Sequence, residues 1–322
     1  MSSGRPMRQP IVLDCDPGHD DALAILLAAA APSLHLVAIT TVAGNQSLDK
    51  TALNARRICS VAGIREVPVA AGCDAPLVGR RIASPEIHGE SGLDGPAFGE
   101  PTVPLDPRHA VDVILDAART YDGLVLVATG PLTNVATALA RDPGLAQRLQ
   151  RVVLMGGAIG LGNATPAAEF NIGADAEAAR AVFESGVPIT MVPLETTHRA
   201  LATPAVMDRI AALDFPLAHL CVDLLKFFAQ TYLRVFGFAA PAVLDPCAVA
   251  WLIDPSIVPT RHMRVDIETK AEFSYGRTIC DVHAVTGRSP NVDVGVDLEV
   301  DRFWDLMIGA LASYRERAGS LS

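Results

Sequence analysis

A chain of 322 residues, half of them hydrophobic and 19% charged, has ample material for a large packed core. Its formal net charge of −10, with no basic cluster, argues against a nucleic-acid partner. No apolar run reaches the ~20 residues needed to span a bilayer. The opening MSSGRPMRQP has no apolar stretch of the kind that directs export. Six cysteines lie scattered without a CxxC pair, as expected of reduced thiols, so a cytoplasmic enzyme is anticipated.

In chain order, short apolar segments alternate with longer Ala/Leu-rich ones. Strands are predicted at 11–14, 36–41, 67–70, 124–128, 152–155 and 189–192, and helices at 20–31, 48–62, 110–119, 132–140 and 176–184. The strands are continuous Val/Leu/Ile runs, the pattern of parallel strands buried on both faces. The expected fold class is α/β: an open, mostly parallel, doubly wound (Rossmann-like) sheet with helices on both faces. Length alone suggests about two domains of ~150 residues. No linker, low-complexity tract or repeat divides the chain, so one domain over 1–322 is expected, with 1–9 and 316–322 as disordered tails. Two regions break the alternation. Residues 72–100 are Gly- and Pro-rich and too long for an ordinary connection. Residues 217–243 form an aromatic-rich helix ending in a loop, which reads first as simple packing.

Ligands of open α/β sheets bind beyond the carboxyl ends of the strands. At the first such end, "IVLDCDPGHDDALAILLAAAA" places Asp14, Asp16, Asp20 and Asp21 together. Carboxylates this close raise one another's pKa unless a cation sits among them. The donors are all oxygen, which favours a hard cation such as Ca²⁺ or Mg²⁺. A helix N-terminus also favours negative charge, but that accounts for Asp20 and Asp21 only. An EF-hand fails in either register, because Gly18 falls where an oxygen donor is required. A haloacid-dehalogenase-like phosphatase also opens on strand–DxD, but Gly18 stands where it normally carries a hydroxyl or small apolar residue. Further strand ends add Asn45, the Thr129 carbonyl, Met155, Asn163, Glu169 and Asn171, and Asp245 stands at an apparent helix start. Each can be a mere cap or turn residue; together they suit a polyhydroxylated ligand on a hard metal ion.

In these residues the chain resembles the inosine–uridine preferring nucleoside hydrolases. The resemblance is carried by DCDPGHDDA (14–22), AGNQ (43–46), IHGESGLDG (87–95), ATGPLTN (128–134), VLMGG (153–157), NATPAAEFN (163–171) and LDPCAVAWL (244–252), in order across nearly the whole chain. It looks most like bacterial pyrimidine-preferring members. The resemblance implies Ca²⁺-dependent hydrolysis of ribonucleosides to ribose and free base. Asp16, Asp21, the Thr129 carbonyl and Asp245 would hold the metal, with Asp16 also the general base on a water. Asp20 and Asn45 would bind one side of the ribose and Asn163, Glu169 and Asn171 the other, with Met155 packed beside it. Asp14 would support the metal loop from behind. On the nucleobase side would lie His88, Phe228, Tyr232, Phe236 and Leu244, although His88 reads as readily as a plain loop histidine. A homodimer or homotetramer is implied.

The pattern departs at one place. Many members carry a histidine immediately before the last metal-binding aspartate, where it protonates the leaving base; here that residue is Leu244. Phe227, Phe228, Tyr232, Phe236 and Phe238 make the neighbourhood aromatic. Two possibilities stay open. Tyr232, a water or aromatic stacking could serve the leaving group, or the substrate could carry a base that leaves readily. A weakly active or non-catalytic nucleoside- or ribose-binding protein is the alternative reading.

Overall fold

The structure, a computed structural model, describes residues 8–319. The strands are β1 (Gln9–Cys15), β2 (Leu34–Thr41), β3 (Val69–Ala71), β4 (Leu105–Asp106), β5 (Val125–Ala128), β6 (Arg151–Met155), β7 (Ile189–Val192), β8 (Thr260–Ile267), β9 (Thr278–Asp281) and β10 (Val292–Gly295). They form one sheet in the order β4-β3-β2-β1-β5-β6-β7-β10-β8-β9. Pairing is parallel from β4 through to β10, whereas β8 runs antiparallel to β10 and β9 antiparallel to β8. The expected doubly wound class is therefore what forms, with an antiparallel extension at one edge.

Alternation along the central strands sends side chains to two cores. Ile11, Leu13, Val125, Val127 and Val153 enter one core, with the helices His19–Ala30, Pro216–Phe236, Pro246–Ile253 and Val300–Gly319. Val12, Leu126, Ala128, Val152 and Leu154 enter the other, with Ala110–Thr120, Thr133–Arg141 and Ala176–Phe183. Both faces are covered, which is why these strands carry no polar alternation.

The sequence reading had no counterpart for β4, β8, β9 and β10, and several of its boundaries shift. β3 starts at Val69 rather than 67, since Pro68 has no N–H to give the ladder. The expected tails lie largely outside the described residues; within them Gln9 belongs to β1 and the last helix continues to Gly319. The sheet order reverses between β1 and β5, which opens a crevice at their carboxyl ends. Asp14 stands near the end of β1 there, Asp16 follows just past it, and Thr129 leaves β5.

Candidate active site

At the crevice lies a cavity of about 300 Å³. Its lining includes Asp20, Asn45, His88, Thr129, Met155, Asn163, Glu169, Asn171, Phe228, Tyr232, Phe236, Leu244 and Asp245, from segments spread over most of the chain. Asp16 and Asp21 are fully buried beside it. The structure thus gathers the predicted residues around one space, apart from Asp14. Asp14, still within β1, is instead held between β2 and the helix Thr133–Arg141, where Thr40 Oγ1 (2.6 Å) and Asn134 Nδ2 (2.8 Å) donate to its Oδ1.

The carboxylates are held by the loop's own backbone. Asp21 receives the Gly18 N–H (3.0 Å) on Oδ2 and the Thr129 hydroxyl (2.8 Å) on Oδ1, tying the first helix to the end of β5. Asp20 Oδ2 accepts the Leu244 N–H at 3.2 Å, so the start of the helix Pro246–Ile253 is fixed to the same point. Asp16 Oδ2 accepts the Asn45 N–H at 2.7 Å, whereas its buried Oδ1 has no partner. Gly44 lets this happen: a Cβ there would stand 2.0 Å from Asp16 Oδ2.

Asp20, Asp21 and Asp245 each bring an oxygen within 4.8 Å of the other two, a group able to hold a metal ion. Asp20, expected on the ribose, thus joins two of the expected metal ligands, and Asp16 stands outside this trio with its Oδ1 unsatisfied. Burial, and after it the charge of Asp21, pushes Asp20 up to about 7. Burial also raises Asp21 to about 6, and Asp16 and Asp245 well above the carboxylate range with the neighbouring aspartates adding to it. A buried cluster with this much unopposed charge and an orphaned oxygen fits a cation among the carboxylates.

On the opposite wall, Glu169 caps the helix Phe170–Ala174 through the N–H groups of Asn171 and Ile172 and also takes that of Gly157 (2.9 Å). Burial raises its carboxyl to about 7. Asn171 Nδ2 donates to the carbonyls of Thr129 (2.9 Å) and Met155 (3.1 Å), so the Thr129 carbonyl does face the site. Asn163 Oδ1 accepts the Phe170 N–H at 2.8 Å.

The remaining wall is aromatic and comes from the two regions that interrupt the alternation. Residues 82–84 and the short helix Pro85–His88 approach from one side, and the helix Pro216–Phe236 from the other. His88 stacks on Phe228 at 5.3 Å, and Tyr232 meets Phe228 edge-on at 4.6 Å. Phe227 and Phe238 are outside the lining: Phe227 stacks on His19, and Phe238 packs against His198 and Tyr232. Sequence reasoning missed Ser84, Phe170 and Val235 in the lining, His19 packed behind it against His88 and Phe228, and the Asn134 and Thr40 contacts to Asp14. His19 lies inside the first motif, and its residue type was the one available signal.

A family model described as inosine-uridine preferring nucleoside hydrolase matches residues 11–305. A pyrimidine-specific ribonucleoside hydrolase RihB from Escherichia coli O17:K52:H18 is 43% identical over 308 residues, covering 95% of this chain and 98% of its own length. The pyrimidine-specific ribonucleoside hydrolase RihA of Enterobacter sp. (strain 638) is 44% identical over 313 residues, covering 97% and 100%. Among solved structures, a purine-preferring ribonucleoside hydrolase from Gardnerella vaginalis superposes with a TM-score of 0.89 at 30% identity, covering 95% of this chain and 99% of that one.

Proposed function

For this chain, which belongs to the inosine-uridine preferring nucleoside hydrolase family and is thereby an enzyme acting on N-glycosyl bonds, we propose Ca²⁺-dependent hydrolysis of pyrimidine ribonucleosides to ribose and free base. The observation carrying this reading is the buried carboxylate cluster at the switch point, with an unsatisfied Asp16 oxygen beside a 300 Å³ cavity. The pyrimidine preference rests on relatives at 43–44% identity; the purine-preferring structural neighbour shows that the fold alone does not choose the base.

Asp16, Asp21, Asp245 and the Thr129 carbonyl would hold the cation, with Asp20 close enough to share in it. When bound, the ion supplies orientation of the ribose diol and eases deprotonation of a water. Asp16 Oδ1, the one oxygen of that residue without a partner, takes the proton from the attacking water. Asp20 and Asn45 bind the 2′/3′ side of the ribose; Asn163, Glu169 and Asn171 bind the other, with Met155 packed beside the ring. Cleavage passes through an oxocarbenium-like sugar, and the fixed oxygen-rich surroundings favour positive charge at C1′ and O4′. General-base assistance contributes about 10²–10⁴-fold, so electrostatics and help for the departing base must supply the rest.

The base lies against Phe228, Tyr232, Phe236, His88 and Leu244. Leu244 cannot donate a proton. Burial raises the Tyr232 phenol far above its ordinary value, so it acts there as a neutral hydrogen-bond donor. Leaving-group activation is thus altered relative to members with histidine at this position. All six cysteines are free, which supports a reducing, cytoplasmic setting, and family likeness supports a homodimer or homotetramer.

Reducing-sugar release from uridine, cytidine, inosine, guanosine and p-nitrophenyl riboside in Ca²⁺ tests the proposal. Turnover of uridine or cytidine above the purine nucleosides is expected. Release from the nitrophenyl substrate alone would mean that the ribose chemistry works but the pyrimidine assignment is wrong. Silence across the panel would favour a binding role.

A further inference from the structure

Away from the carboxylate cluster, one buried aspartate serves two segments at once. Asp175 stands between the helix Phe170–Ala174, which carries Asn171, and the helix Ala176–Phe183. Its Oδ1 caps the second helix by accepting the Ala178 N–H at 3.1 Å. Its Oδ2 accepts the Thr133 hydroxyl (2.7 Å) and the backbone N–H of Leu77 (2.8 Å), which belongs to the Gly- and Pro-rich region. The cap needs one acceptor, and serine or asparagine would supply it as well. The second oxygen therefore has a separate task.

The Leu77 bond is the middle hold on an otherwise unattached arm. The arm is first fixed at Cys73, whose N–H donates to Asn134 Oδ1 (2.8 Å) and whose carbonyl accepts the Ala43 N–H (3.0 Å). It is fixed again at Ser84, whose N–H donates to the Asn45 carbonyl at 3.1 Å. Among the described residues, no other main-chain N–H from 74 to 83 has a partner. Leu77 itself is 48% exposed, so packing alone does not hold it. Beyond it the arm reaches the cavity, where Ile82, Ala83 and Ser84 form part of the lining. Without the hold at 77, the unattached stretch grows from 78–83 to 74–83, and a ligand settling against Ile82 must order all of it.

We propose that Asp175 is a positioning residue for the base-side wall: its Oδ2 latches the arm at Leu77 and thereby sets where Ile82, Ala83 and Ser84 stand. It acts through the loop, so it governs binding of the part of a ligand that reaches this wall and leaves the carboxylate cluster alone. That this part is a nucleobase rests on the proposed nucleoside chemistry; the latch does not.

The test compares the full chain with Asp175→Ser, which keeps a helix cap but has a single, shorter-reaching oxygen and so gives up the Leu77 bond. Amide hydrogen exchange resolved at Leu77 reads the latch directly. The wild-type amide is expected to be protected, and in Asp175→Ser to exchange about 10-fold faster or more, the worth of a hydrogen bond to a charged group. The same variant raises KM for uridine by about 10-fold, while kcat and the inhibition constant of free ribose, which does not reach this wall, change less than about 3-fold. Leu77→Pro deletes the donor at an exposed position and leaves the Thr133 and Ala178 bonds in place. It carries the same KM shift and decides the matter if Asp175→Ser does not fold. An unprotected Leu77 amide in the wild type overturns the proposal. A folded Asp175→Ser with unaltered KM, or with the ribose constant raised in step, overturns it as well. If no nucleoside is turned over, the proposed function fails while the exchange measurement still decides the latch.

Discussion

Under the proposed function, Leu244 sets the character of the wall that would face the leaving base. Its side chain lines the cavity with Tyr232 and Phe236, and its N–H anchors Asp20, so the backbone role is kept while the side chain contributes only packing. Replacing it by histidine adds a titratable donor beside the base without touching the ribose or the carboxylates. Leu244→His should raise kcat on uridine or inosine by about 10-fold or more, at the low end of or below general-acid assistance, with little effect on p-nitrophenyl riboside. Steady-state kinetics on both substrates check this; no gain, with KM unchanged, would mean that leaving-group activation is already complete. At this scale the sequence was most informative where chemistry is dense. The aspartates of DCDPGHDDA were legible as a candidate cation site because carboxylates so crowded repel one another unless a cation sits among them. His19 was not, since a single histidine in a motif gives no sign of a ring partner sixty-nine positions away.

The elements matter through how closely they let these groups approach. The loop after β2 must pass against Asp16, and only a residue without a side chain fits at 44, where a Cβ would stand 2.0 Å from the carboxylate oxygen. Gly44→Ala should displace Asp16 and lower kcat by about 10²-fold, the usual penalty for an ångström of misplacement. Overpacking also costs about 1–3 kcal/mol of stability. Kinetics and thermal unfolding of the variant together check this; an unaltered kcat would remove Asp16 from the proposed role. The strands β1, β2, β5, β6 and β7 were readable because burial on both faces leaves continuous apolar runs. The strands β8, β9 and β10 were not, since charged residues such as Arg264, Asp281 and Asp293 interrupt their apolar pattern. The helix Pro216–Phe236 serves both of its sequence readings, packing Leu224 and Leu225 into the core while Phe228 and Tyr232 face the cavity.

For the whole molecule, the order of the sheet makes the site. Asp16 and Asp245 stand more than two hundred positions apart, and a pattern of strands and helices does not say that their segments meet; the family resemblance supplied that link, and the reversal between β1 and β5 accounts for it. Gathering several carboxylates in a buried place has a cost that depends on pH. Folded-state values raised from 3.8 to about 6 for Asp21 and about 7 for Asp20 mean that the cation-free fold binds more protons than the unfolded chain. The contribution of these groups is therefore fully present below about pH 4 and is lost as pH rises through about 7. A bound cation reverses that loss, because it requires the ionised ligands. Thermal unfolding of metal-stripped protein, with and without Ca²⁺, between pH 4 and 8 tests this most directly. A stabilisation that is absent near pH 4 and grows to about 4 °C at neutral pH with Ca²⁺ at about a hundred times its Kd is predicted. Unfolding curves that coincide at every pH would contradict the assignment of the carboxylate cluster as a cation site.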